Sequence, residues 1–236
     1  MKLEELKNEL NKKNIMLTDK MIEQLTFYAE FLKEYNEKIN LTAITEFEEV
    51  VDKHFYDSLL CVENELKGTL VDVGTGAGFP GVVLKIVFPE LNVILLEPIQ
   101  KRCVFLNELI NKLDLKKIEV INQRGEDYST SHREEYDYVT ARAVSNLNNL
   151  IEVCGAMVKV DGFFICLRGK DGEEEIKSAT MAIKTMGFKT MEIYNKSLYD
   201  GSSRVIAYLK KVTKTDKKYP RKYSIIKSRP LWKKKL

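Results

Sequence analysis

The chain has 236 residues, 44% of them apolar and 31% charged, with a formal net charge of +3. That length supports one α/β domain with an extension or two small domains, and the apolar share is ordinary for a globular protein. No apolar run approaches the ~20 residues of a membrane helix, the charged start Met1-Lys2-Leu3-Glu4-Glu5 has no signal-peptide core, and His54 and His132 alone are too few for a histidine-based metal site or triad, so no metal is expected.

Taken in chain order, residues 1–13 and 19–38 read as amphipathic helices. In the second, Met21, Ile22, Leu25, Tyr28, Ala29 and Leu32 recur at helical spacing, behind Thr18 or Asp19 as N-cap. A polar break over 36–42 precedes a further helix over about 46–60. Strand 69–73 then leads to helix 80–87, strand 92–96 to helix 99–112, and strand 118–121 follows. Strand 136–140 leads to helix 146–158 and strand 162–168 to helix 173–185, with closing strands near 188–194 and 204–210 that should pair antiparallel. Strands alternating with helices predict a mostly parallel sheet flanked by helices. The expected domains are an N-terminal helical extension over 1–66, a core over 67–211 and a basic tail over 212–236.

The most telling run is Leu70-Val71-Asp72-Val73-Gly74-Thr75-Gly76-Ala77-Gly78-Phe79-Pro80-Gly81. An apolar strand breaks into alternating glycines, where backbone can turn sharply and a ligand can approach it, and Pro80 suits the first turn of a helix. The next strand, Val93-Ile94-Leu95-Leu96, ends in Glu97, at the distance at which a carboxylate accepts ribose hydroxyls. The glycines from Gly76 to Gly81 formally match G-x-G-x-x-G, a weak signal alone. Read from Asp72, the pattern is acidic-x-Gly-x-Gly-x-Gly, whose carboxylate disfavours a pyrophosphate and suits a sulfonium cofactor with an ammonium group. These residues favour S-adenosylmethionine, with NAD as the alternative.

Three further features bear on chemistry. Gly125-Glu126-Asp127 follows the third strand, where such sheets bind ligands, and serves equally well as a solvated turn with an N-cap. Arg142 ends the fourth strand between Ala141 and Ala143, where an unpaired burial would be costly and a functional role is the better reading. Residues 210–236 hold twelve Lys/Arg against Asp216 alone, so the remainder of the chain carries 26 basic and 34 acidic residues. That tail, with Tyr219, Tyr223 and Trp232 interleaved, reads as a grip on a polyanion that also stacks on bases, or as a solubilising end. Cys61, Cys103, Cys154 and Cys166 form no C-x-x-C pair and read as buried reduced thiols of a cytoplasmic protein.

Several stretches together are specific: residues 35–44, His54-Phe55-Tyr56-Asp57-Ser58-Leu59, the glycine loop, Thr140-Ala141-Arg142-Ala143 and Lys217-Lys218-Tyr219-Pro220-Arg221-Lys222. They run in order along nearly the whole chain, which resembles the glucose-inhibited division protein B family, also called RsmG. The resemblance implies a Rossmann-like class I S-adenosylmethionine-dependent methyltransferase fold and methylation of the 7-nitrogen of a guanine in bacterial 16S rRNA. It implies cofactor contacts at Gly74, Phe79, Gly125, Glu126 and Arg142, added to Asp72, Gly76, Gly78 and Glu97 from the residues themselves. Phe79 serves packing as readily as ligand contact.

Arg142 is expected to border both cofactor and base and to orient the guanine as the one catalytic residue. Lys101, Arg102, Arg168, Arg204, Lys218, Arg221 and Lys222 are candidates for RNA contact, the first four equally readable as surface charge. Asn40 and His54 belong to the family motifs and serve equally as helix caps or bridges, and His54 is assigned no catalytic role. The chain departs from the family pattern at Glu97, where Asp is common, at Arg168, where Lys is common, and after Lys222, where Tyr223-Ser224-Ile225-Ile226 replaces Gly and Pro. The expected partner is 16S rRNA or a precursor 30S subunit, met by a monomer in the cytoplasm away from membranes. The alternatives are a non-catalytic RNA-binding assembly factor and an NAD-dependent oxidoreductase.

Overall fold

The computed structural model describes residues 1–142 and 146–231; Ala143 and Trp232 lie outside them. The chain divides into two compact units, Met1–Asn122 with Ser197–Ser202, and Gln123–Lys196 with Ser203–Leu236.

In the first unit, α1 (Leu3–Asn11) and α2 (Asp19–Asn36) come first. The Thr18 side chain caps α2 by accepting from the Met21 N–H, and Leu25, Tyr28, Ala29, Phe31 and Leu32 form its buried stripe. The helix expected over about 46–60 is interrupted. It runs as α3 (Phe47–Val50), a π-helical stretch (Val51–Tyr56) and α4 (Asp57–Leu59). Asp52 and His54 are buried in that stretch beside Val51 and Phe55, and single π-turns inside helices concentrate at functional sites. Asp52 is satisfied there: its two carboxylate oxygens accept the N–H groups of Tyr199 (2.8 Å) and Asp200 (3.1 Å).

Three parallel strands follow, β1 (Thr69–Val73), β2 (Asn92–Leu96) and β3 (Ile118–Ile121), in the order β3-β2-β1, with α5 (Gly81–Val87) and α6 (Gln100–Lys112) between them in sequence. The register pairs Val73 with Leu96 and Leu96 with Ile121, so the three strands end level. Gly74, Glu97 and Asn122 are therefore the first residues past one common edge, where open parallel sheets place ligands.

The second unit holds α7 (Gly125–Ser131), β4 (Tyr136–Arg142), α8 (Leu147–Gly155), β5 (Val158–Arg168), α9 (Gly172–Ser178), α10 (Thr180–Thr185), β6 (Phe188–Ser197), β7 (Ser203–Lys211) and α11 (Tyr223–Ser228). Its strands lie in the order β4-β5-β7-β6; β4 and β5 are parallel, and β7 runs antiparallel to β5. The single helix expected over 173–185 is split at Ala179. There Ser178 and Thr180 hydroxyls donate to the Glu175 and Lys177 carbonyls and compete with the helical ladder. The tail is docked: Arg133 donates to the Tyr219, Thr215 and Asp216 carbonyls, Glu134 accepts the Thr215 N–H, and α11 buries Ile226. Among the described residues no helix is long and apolar enough to cross a membrane.

Candidate functional site

The glycine loop is built from inside the first unit. Gly74 and Thr75 N–H groups donate to the Leu96 carbonyl at 2.8 and 3.2 Å, which extends the β1–β2 pairing by one step. Gly74, Gly76 and Gly78 then take φ values of +68°, +63° and +101°. At Gly76 a Cβ would approach only the Gly74 carbonyl, at 4.0 Å, so the space over it is open and the requirement there is conformational. At Gly78 a Cβ would lie 2.6 Å from the Tyr28 hydroxyl and 2.7 Å from Val82 Cγ2. Gly81 meets the same kind of limit, with Leu95 Cδ2 2.4 Å from its virtual Cβ, which lets α5 pack closely on the sheet.

Asp72 is fully buried. Its Oδ2 accepts from Thr75 Oγ1 (2.6 Å) and from the Gly81 N–H (2.8 Å), so the carboxylate closes the loop and caps α5 at once. The carboxylate is thus aimed into the loop, as the sequence reading expects. Pro80 stands at the N-cap of α5, one residue before the helix proper, and its peptide bond to Phe79 is cis.

Glu97 sits just past β2 and is 1% exposed. Its Oε2 accepts the Gly76 N–H (3.0 Å) and its Oε1 the Ile99 N–H (2.9 Å), with Arg102 Nη1 3.8 Å from Oε2. Its backbone carbonyl accepts from Asn122 Nδ2 (2.9 Å) and Cys103 Sγ (3.1 Å). A carboxylate has about four lone-pair sites, and two are taken by these backbone donors.

The helical segment holds the loop from its other side. The Tyr28 hydroxyl donates to the Ala77 carbonyl, and the Tyr28 and His54 rings both stack on Phe79, at centroid distances of 5.2 and 4.3 Å. Phe79 is 5% exposed, so packing is its main contact. Thr42 Oγ1 lies 2.9 Å from His54 Nε2 and accepts the Ile44 N–H.

A family model described as "GidB: rRNA small subunit methyltransferase G" matches residues 21–204. A "Ribosomal RNA small subunit methyltransferase G" of Alkaliphilus metalliredigens is 41% identical over 232 residues, covering 96% of this chain and 97% of the relative. The protein of the same name from Bacillus licheniformis is 44% identical over 228 residues, covering 94% and 95%. The chain belongs to the rRNA small subunit methyltransferase G family. Solved structures place the fold. A 16S rRNA (adenine(1408)-N(1))-methyltransferase from Catenulisporales acidiphilia matches with TM-score 0.53 at 13% identity, covering 69% of this chain and 92% of that one. Fibrillarin of Aeropyrum pernix, with natively bound S-adenosyl-L-methionine, matches with TM-score 0.51 at 13% identity, covering 65% and 72%. The Rossmann-like class I methyltransferase fold expected from the sequence is borne out.

For this family of S-adenosylmethionine-dependent methyltransferases the loop fits its cofactor. Gly76 presents open backbone, and Glu97 brings a carboxylate to the same turn. In the second unit, Gly125 and Glu126 open α7, a helix absent from the sequence reading, whose first turn carries Glu126 and Asp127. Glu126 lies 3.7 Å from Arg124 Nη1. Arg142 is half-buried as the last residue of β4, paired in register with Leu167.

The RNA candidates separate by their surroundings. Lys101 is exposed in the first turn of α6, and Arg102 leans toward Glu97. Arg204, on β7, donates to the Ser203 carbonyl. Lys218 is exposed and 3.0 Å from Asp216, and Lys222 is exposed at the N-cap of α11. Arg168 is bound to Glu175. Arg221 forks onto Glu152, with Nε to Oε1 at 2.7 Å and Nη2 to Oε2 at 2.6 Å, and Glu152 is wholly buried. Arg221 is thereby a clasp for the tail.

All four cysteines are buried thiols. Burial pushes Cys61 and Cys166 up to about 12 and raises Cys103, so these three stay protonated near neutral pH. Sequence reasoning passed over three residues that hold the loop or the tail. Tyr28 was hidden in the apolar stripe of α2, Thr42 in a polar break, and Glu152 in a helix whose partner lies 69 residues on. Only the tyrosine hydroxyl, a polar tip on a buried stripe, carried a local signal.

Proposed function

We propose that the protein transfers the methyl group of S-adenosylmethionine to the 7-nitrogen of a guanine in 16S rRNA, as a monomer in the cytoplasm, on free RNA or a precursor 30S particle. The observation that carries this reading is the glycine loop clasped by Glu97, intact in a chain of this family. When bound, the cofactor supplies an electrophilic methyl on a sulfonium centre.

Gly74, Gly76 and Gly78 shape the backbone on which the nucleoside would rest, and Glu97 would take the ribose hydroxyls with its two remaining lone-pair sites. Because Glu97 is covered, that contact requires the turn at Gly76 to open. From the family resemblance, Gly125 and Glu126 take the adenine, and Arg142 borders cofactor and guanine. The 7-nitrogen of guanine carries a lone pair and no proton, so no general base is needed. Arg142 then contributes orientation and electrostatics. The raised thiols argue against a cysteine nucleophile of the kind that pyrimidine carbon methylation would need.

The exposed cations of the docked tail, Lys217, Lys218, Lys222, Lys227 and Arg229, would hold RNA phosphates, with Lys101, Arg102 and Arg204 as further contacts. The target base is expected to be unstacked or looped out. Incubation with methyl-labelled cofactor and unmethylated small-subunit RNA tests the reading. Wild type should label the RNA, and Arg142→Ala should lower the rate by about 100-fold or more. Equal labelling by wild type and variant would remove Arg142 from the site.

A further inference from the structure

We propose that His54 is a positioning residue for the cofactor loop, held by Thr42 and acting through Phe79; this rests on the function proposed above. Four side chains hold residues 74–81 inside the first unit. Asp72 and Glu97 hold the loop from the sheet, at Thr75, Gly81 and Gly76. Tyr28 and His54 hold it from the helical segment, at Ala77 and Phe79. The sheet-side contacts fix its ends and middle, and the helix-side contacts fix Ala77 and Phe79, two of the three residues between Gly76 and Pro80.

The choice of histidine calls for a reason. Phe79 already stacks on Tyr28, at 5.2 Å, and touches Phe55 at 6.2 Å, so an apolar side chain at 54 would complete the cluster without burying polar atoms. His54 is 8% exposed and lies 4.3 Å from Phe79 at an interplanar angle of 18°. Its Nε2 meets Thr42 Oγ1 at 2.9 Å. Thr42 is itself fixed: Asn36 Oδ1 accepts the N–H groups of Leu41 (2.7 Å) and Thr42 (3.0 Å).

One hydrogen-bonded line therefore runs from the end of α2, through the turn at 36–42, to the ring that carries the loop. The π-helical stretch places His54 and Phe55 together on that ring. An apolar substitute would keep the packing and lose the line. A ligand seated on Gly76 depends on where Ala77 and Phe79 stand. The turn over 36–42 and the cofactor loop are thus coupled parts of one site.

Binding of S-adenosylhomocysteine, measured by calorimetry, tests this with His54→Ala, His54→Phe, Thr42→Val and the double variant His54→Phe/Thr42→Val. His54→Ala should raise Kd by about tenfold or more, and His54→Phe and Thr42→Val by about three- to fivefold each, with the double variant no worse than either single one. In methyl transfer the loss should fall on the KM for cofactor, with kcat at saturation within about threefold. If His54→Ala does not fold, the phenylalanine and valine variants carry the same test. Unchanged Kd in all variants, or additive losses in the double variant, would overturn the proposal. Absence of binding by wild type would instead overturn the methyltransferase reading on which it rests.

Discussion

Glu97 takes part in two structures at once, the loop through Gly76 and the start of α6 through Ile99. Glu97→Gln keeps an acceptor for one of these and loses charge; Glu97→Ala loses both and leaves two buried N–H groups unsatisfied. Calorimetry with S-adenosylhomocysteine should find about tenfold weaker binding for the glutamine variant and a larger loss for alanine, and equal affinity for all three proteins would exclude Glu97 from the ribose. At this scale the sequence was only partly legible. The residue types around the loop were readable because glycines and a strand-end carboxylate have few other uses in that pattern. Which groups each carboxylate holds was not. Asp72 precedes a loop that folds back over it, and its partners Thr75 and Gly81 are backbone and hydroxyl groups that no pattern marks. Phe79 is locked by rings from residues 28 and 54, contacts that exist only once the helices are packed.

The docked tail carries the next prediction, at the scale of elements. Glu152 in α8 is wholly buried and accepts three hydrogen bonds from Arg221, two from its guanidinium and one from its backbone N–H. Removing Arg221 would strand a buried carboxylate, and breaking such pairs costs about 3–5 kcal/mol. Arg221→Ala should therefore lower the urea midpoint and expose the bonds after Tyr219 to limited proteolysis; an unchanged midpoint would show that the clasp contributes little. Strand boundaries were well marked by alternating apolar runs, and β1, β2 and β3 fall at the residues expected. The helices α7 and α11 were missed because each is short and polar, with only Tyr128 and Ile226 as large buried anchors. The break at Ala179 and the π-helical stretch depend on side-chain hydroxyls and tertiary packing that helical periodicity does not encode.

For the molecule as a whole, two buried amines set a pH dependence. Lys211 donates to the Gly155 carbonyl at 2.5 Å and to Thr215, beneath the Phe188 ring, and burial pulls it down to about 7; Lys85, donating to the Pro89 and Leu91 carbonyls, is pulled down to about 8. Below pH 7 both amines are charged whether the chain is folded or not, and the cost of burying Lys211 is present in full. Above it the unfolded chain keeps a proton that the folded chain has released, so stability rises with pH, by at most about 1.4 kcal/mol per pH unit for each proton. The buried thiols pull the other way only above the ordinary thiol range, near 9. Tm should climb by a few degrees between pH 7 and 9 in wild type and by less in Lys211→Met; a flat or falling profile would contradict this. The charge division was legible in composition alone, an acidic body and twelve basic residues over 210–236. RNA affinity should accordingly fall steeply with salt. The central claim is the acceptor atom. It is tested most directly by digesting 16S rRNA labelled by this enzyme from S-adenosylmethionine and identifying the labelled nucleoside. Label in 7-methylguanosine alone is the expected result; label in any other nucleoside, or none from a protein that binds the cofactor, would contradict it.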